Sequence, residues 1–283
     1  MTNLRQADST KGARSKTPQK QRWKTILSVT AMLAWTGISV IVAQLAVGGV
    51  MIGVIGVESF SQPVAQAIYA ALSYMVAMLL AIWVPASSSM EFRKVDKSGK
   101  KKTVRLGSKT KSSASRNALG LKGWPTWTDI GLAPVGYIIS ILLAAGLVAV
   151  FSLFPWFDAG EAQEIGFDLY ASGVDRVIAF IALVIIAPIA EEIIFRGWLY
   201  GWLRNKLSRE TSNIASMIIS ALLVSVLFGV VHLQWNVGVT VFAMSLVLCG
   251  LREVTGTIYA GILMHMLKNG LAMWILCMWG GMI

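Results

Sequence analysis

Glu191 and Glu192 stand side by side in a run that is otherwise apolar from Val177 to Tyr200, with Arg196 four residues after the second. Charge that deep in a hydrophobic segment costs several kcal/mol per group, so it is kept for a purpose. The chain has two histidines, His232 and His265, and each lies in a later apolar stretch. Phe228 precedes His232 by four residues and Asn269 follows His265 by four. In a helix, residues four apart share a face, so Arg196 can neutralise Glu192 within one helix. Glu191 is rotated by about 100° from Glu192 and is free to face a pocket as a general base.

A glutamate, two histidines and an asparagine meeting in a dry cavity support two chemistries. Glu191, His232 and His265 can hold a divalent ion such as zinc, whose bound water is acidified. Without metal, a carboxylate and one histidine can activate water while the other histidine and the amide donate to a developing oxyanion. Both hydrolyse an acyl bond. The spacing does not choose between them, although the absence of an HExxH pattern favours the metal-free version. Each residue also has a plainer reading. A lone membrane histidine can be a satisfied structural group, Glu192 with Arg196 can be an ion pair that fixes packing, Asn269 can bridge two helices, and Lys268 can snorkel to an interface. The conjunction favours chemistry: apart from Lys268, the charges deep in apolar spans are Glu191, Glu192 and Arg196, and both histidines lie in the spans that follow.

The elements that must position these residues are membrane helices. Of 283 residues, 55% are hydrophobic and only 14% charged, against roughly 25% charged in soluble domains. Several apolar runs exceed about 18 residues, which implies an integral helical membrane protein. The net charge of +11 is concentrated: 18 of 25 Lys and Arg fall within residues 1–24 and 87–127. Basic segments beside apolar spans follow the positive-inside rule and place the N-terminus in the cytoplasm; nucleic acid is not the partner they imply. Cys249 and Cys277 lie in apolar stretches without metal spacing and read as structural thiols.

The chain divides into a disordered basic tail (1–24), two N-terminal transmembrane helices (25–86), a basic cytoplasmic loop (87–127) suited to anionic lipid headgroups, and a core (128–283) holding every motif. Within the core, residues 158–175 carry Asp158, Glu161, Glu164, Asp168 and Asp175 and no basic residue, which suits the external side. The fourth span runs from near Arg176 to Lys206 and the fifth from about Ile214 to Trp235. The apolar run 237–251 is short for a crossing, and the last span covers about Ile258–Trp279. The expected fold is an all-α polytopic bundle of six to eight helices with the active site in an intramembrane cavity.

The order EExxxR, FxxxH, HxxxN on successive membrane segments resembles the CPBP family of intramembrane proteases, which comprises the type II CAAX prenyl endopeptidases and their prokaryotic relatives, the Abi proteins. Glu191 to Arg196 is similar to the first motif, Phe228 to His232 to the second, and His265 to Asn269 to the third. The resemblance covers residues 125–280. It implies that Glu191 and His232 activate water, that His265 and Asn269 form the oxyanion site, and that Glu192, Arg196 and Phe228 support them, with Arg196 near the substrate's terminal carboxylate. It also implies a peptide or protein substrate, lipid-modified in the eukaryotic members, which remove three residues from prenylated C-termini. Prokaryotic relatives are linked to bacteriocin maturation, self-immunity or anchoring of surface proteins, and their site would be the cell membrane. The family's older name of metalloprotease leaves the metal question open.

One feature of a straight-span arrangement strains this reading. It sets Glu191 near mid-membrane, His232 toward the outside and His265 toward the cytoplasm, so convergence in a conical cavity requires tilted or broken helices. Two other classes compete with a protease: a non-catalytic membrane binding or immunity protein of the same fold, and a proton-coupled transporter, whose inverted repeat is absent from the sequence.

Overall fold

The computed structural model describes residues 18–60, 63–83, 85, 91–95, 101–105, 118–160 and 173–279. Of the tail expected to be disordered (1–24), residues 1–17 lie outside the described residues, as do the acidic positions Glu161, Glu164 and Asp168 and about half of the basic loop; residues 18–24 correct that expectation, because they are helical from Pro18 and run on into the first apolar span.

Seven helices make up the described body. They are α1 (Pro18–Phe60), α2 (Pro63–Met78, continued by a π-helical turn, Leu79–Trp83), α3 (Trp127–Phe151), α4 (Gly173–Leu207), α5 (Asn213–Val230), α6 (Trp235–Thr255) and α7 (Tyr259–Trp279). Six of them, α1 to α6, are long and apolar enough to cross a membrane. The fold is thus the all-helical polytopic bundle that the composition implies, with one addition. In the basic loop, β1 (Glu91–Val95) pairs antiparallel with β2 (Lys101–Arg105), in a register that sets Phe92 opposite Val104 and Val95 opposite Lys101.

Two boundaries differ from the sequence expectation, and both move the site. The fifth span ends at Val230, so His232 lies on a turn and not inside a helix. Leu233 takes a left-handed conformation there (φ 59°), which reverses the chain. The stretch expected to be too short, 237–251, is the middle of α6, whose 21 residues are long and apolar enough for a full crossing. Apolarity defined the shorter run; the polar Asn236, Arg252, Glu253 and Thr255 continue the helix beyond it.

The helices meet closely where glycines allow it. A methyl group on Gly229 of α5 would stand 2.7 Å from the carbonyl oxygen of Gly238 on α6, so two backbones touch at this crossing. The start of α7 is fixed from α3. Thr126 and Asp129 form a reciprocal cap at the head of α3, satisfying its first free N–H groups. Buried Asp129 also accepts from Thr257 Oγ1 at 3.2 Å, in the turn where Gly256 (φ 70°) ends α6. Ile258 N–H then donates to Gly120 O at 3.1 Å. An aromatic cluster of Phe151, Phe154, Trp156 and Phe157 closes the far end of α3, with Trp156 5.9 Å from Trp235 at the head of α6. Cys249 is buried, as a structural thiol should be.

Gly229→Ala forces a backbone shift and is expected to destabilise the protein by about 1–3 kcal/mol. Gly250→Ala, where nothing lies within 4 Å of the new methyl, is expected to leave the thermal midpoint unchanged or raised. Thermal unfolding of the two variants in detergent checks the difference.

Candidate active site

Helix α4 has 35 residues, about 52 Å at 1.5 Å per residue, and so outreaches a ~30 Å hydrocarbon core at its ends. It is not uniform. Residues 181–186 and 193–200 are π-helical, and the acidic pair sits on the short α-helical stretch between them. Ala187 N–H reaches back five residues to Ala182 O. The next donor in that register is Pro188, which has no N–H, so the Leu183 carbonyl loses its helical partner. Asn269 Nδ2 on α7 supplies the replacement, donating to Leu183 O at 2.8 Å. The widened turn before the glutamates is therefore held open and satisfied by a residue of the third motif.

The two carboxylates are divided as their helical rotation implies. Glu192 and Arg196 have side chains with 0% exposure, and Arg196 Nη1 donates to Glu192 Oε1 at 2.8 Å. The Arg196 guanidinium lies 4.4 Å above the Phe228 ring, a cation–π contact in a dry setting. Gly261 of α7 lets its helix approach: a methyl there would stand 2.9 Å from Glu192 Oε2. This burial leaves Arg196 no route to a substrate's terminal carboxylate, so that suggestion is corrected, and its place is beneath the site. Glu191 keeps 14% exposure and turns the other way.

His265 lies against both acids. Its Nε2 is 3.7 Å from Glu191 Oε2 and its Nδ1 3.4 Å from Glu192 Oε1. Both separations are within ion-pair reach, yet the Nδ1 contact lacks hydrogen-bond geometry. His232 follows α5 on its turn, and its Nδ1 lies 2.7 Å from the Phe228 carbonyl oxygen. That oxygen only accepts, so Nδ1 carries a proton, and in the neutral ring Nε2 keeps its lone pair. Such a nitrogen suits either proton abstraction or metal binding. The Phe228 ring packs 4.9 Å from His232 and 6.1 Å from His265, joining the end of α5 to α7. His232 is within electrostatic reach of both Glu191 and His265. Half-buried Lys268, on α7 beside Asn269, is within reach of Glu191 as well.

Glu191, His232 and His265, the candidate metal ligands, are neighbours. Among the described residues, however, no three His, Cys, Asp or Glu side chains come together at metal-binding spacing. These residues do not fit a three-ligand ion. A cavity of about 530 Å³ between α3, α5 and α6 is lined by Phe151, Gly229, Leu233 and Phe242 among others. It flanks His232, but its lining includes neither Glu191 nor His265, so it is an apolar groove behind the site and not the expected conical cavity.

Motif spacing gave no sign of one participant. The Tyr74 hydroxyl of α2 donates to Glu191 Oε1 across 117 positions of sequence. A tyrosine in an apolar span carries no signal of its own, and only the packing of α2 against α4 discloses it.

Residues 173–271 match the family model described as type II CAAX prenyl endopeptidase Rce1-like. The match covers about a third of the chain and contains Glu191, Glu192, Arg196, Phe228, His232, His265 and Asn269. Over that stretch it bears out the resemblance to the CPBP membrane proteases. No curated protein and no solved structure matches the chain.

Removing one partner of the buried pair strands a charge in an apolar interior, which costs about 3–5 kcal/mol. Glu192→Ala is therefore expected to lower the thermal midpoint sharply. Glu191→Ala, at the more accessible acid, is expected to change it far less. Parallel melting curves in detergent test the contrast.

Proposed function

We propose that the protein is an intramembrane endopeptidase in which Glu191 and His232 activate water and His265 and Asn269 stabilise the oxyanion. Glu191 takes a proton from water, and the hydroxide oxygen adds to the scissile carbonyl carbon. The displaced π electrons pass to the carbonyl oxygen, where His265 and the N–H of Asn269 not committed to Leu183 donate to it. The C–N bond then breaks as the proton is delivered to the leaving amine, with His232 sharing the transfer. The observation that carries this reading is the approach of His265 Nε2 to within 3.7 Å of Glu191 Oε2. One acid is reachable while its neighbour is buried and paired with Arg196 through Oε1, which is the division that general-base catalysis requires.

The substrate is a peptide or protein segment within the membrane or at its surface. Its cleavage is CAAX-type processing near a C-terminus, lipid-modified or not, or a bacterial peptide-processing or immunity step. The N-terminus and the hairpin loop face the cytoplasm, where their basic residues meet anionic lipids. Residues 128–283 form the protease core. The mechanism runs without metal: Glu191 and His232 supply the acid–base chemistry a bound ion would otherwise serve.

Cleavage of candidate C-terminal peptides, prenylated and unmodified, by purified protein in detergent tests the assignment. Glu191→Ala and His232→Ala are each expected to lower kcat by about 10²–10⁴-fold. Retained cleavage by both variants contradicts the enzyme reading. Dialysis against a chelator is expected to leave turnover intact, whereas loss restored by added zinc would assign the water to a metal.

A further inference from the structure

The geometry points to Tyr74 as a positioning residue for Glu191, so that the candidate site extends beyond the 173–271 stretch into the N-terminal helices; this rests on the hydrolytic reading above. A general base must do more than lie near its water. Its reactive oxygen must hold one direction, and a third group commonly fixes it. Glu191 lacks the intrahelical arginine that holds Glu192, since the residue four positions on is Phe195. Left alone, its carboxylate would be free to rotate.

The Tyr74 hydroxyl removes that freedom. It donates to Oε1, while Oε2 is the oxygen that faces His265 Nε2 at 3.7 Å. The phenol therefore occupies one carboxylate oxygen and leaves the other directed at the second histidine. The water proton is thereby sent to Oε2. Tyr74 is itself held in place: it is half-buried, its neighbours Ser73 and Ala77 are buried, and α2 packs on α4 along the segment that carries the acids. The nearby Lys268 ammonium attracts the same carboxylate, so the phenol does not act alone on its charge, but among the described residues Tyr74 makes the direct hydrogen bond to it.

Full-length Tyr74→Phe keeps the ring and deletes only the hydroxyl. In the peptide assay it is expected to lower kcat about 10–100-fold, with KM and the thermal midpoint near wild type. A purely structural tyrosine would not split kcat from KM in this way. A second readout needs no turnover. The infrared carboxylate band that disappears in Glu191→Gln is expected to shift in Tyr74→Phe. Wild-type kcat in Tyr74→Phe, a loss carried wholly by KM, or an unshifted band overturns the inference. Absence of cleavage by the wild-type protein overturns the hydrolytic reading instead, and the infrared comparison still decides whether Tyr74 holds Glu191.

Discussion

An ion pair with no exposed side-chain surface, Glu192 with Arg196, sits inside an apolar helix, and the surrounding bundle is arranged to make that tolerable. Desolvating two charges costs several kcal/mol per ion, which their attraction offsets only with good geometry and further polar partners. The contacts come from two other helices, while Glu192 Oε2 and Arg196 Nε and Nη2 stay without hydrogen-bond partners among the described residues. Phe228 of α5 offers its ring face to the guanidinium, Gly261 of α7 brings backbone against the carboxylate, and His265 places Nδ1 3.4 Å from Glu192 Oε1. These contacts draw α5 and α7 onto α4 at one depth. His265 approaches Glu191 because its helix is already committed to the neighbouring acid, and His232 is held beside the same Phe228 ring.

The π-helical turns of α4 belong to the same constraint. Pro188 interrupts the backbone ladder one turn before Arg196's partner, and the freed Leu183 carbonyl would be expensive to bury in a membrane interior. Asn269 answers it with a 2.8 Å hydrogen bond. One amide thus links helix packing to the oxyanion side of the proposed site, and its plain reading as a bridge between helices and its functional reading are compatible. Phe228 behaves alike: its ring, packed 4.9 Å from Phe195, supports Arg196 while its carbonyl sets the tautomer of His232.

What was legible in the sequence followed from short-range periodicity. The i, i+4 spacing separated Glu192 with Arg196 from Glu191, and the apolar runs marked the membrane helices. The missed features are long-range or depend on backbone chemistry outside the motifs. Tyr74 bonds to Glu191 from another helix, and no local pattern announces it. The end of α5 at Val230 depends on left-handed Leu233, a residue type that rarely adopts that conformation, so hydropathy carried the span on to Trp235. The depth conflict between Glu191, His232 and His265 came from reading three straight crossings. The structure instead ends α5 at Val230 and breaks α4 into α- and π-helical stretches, so the crossings are not the uniform rods that reading assumed.

A single turnover in ¹⁸O-labelled water tests the central claim most directly. With purified protein in excess over a cleavable peptide, water activated by Glu191 is predicted to place one ¹⁸O in the new carboxyl group at the cleaved bond, and Glu191→Gln is predicted to yield no product. Peptide left intact by the wild-type protein, or labelled product formed equally by Glu191→Gln, would contradict the assignment of Glu191 as the base.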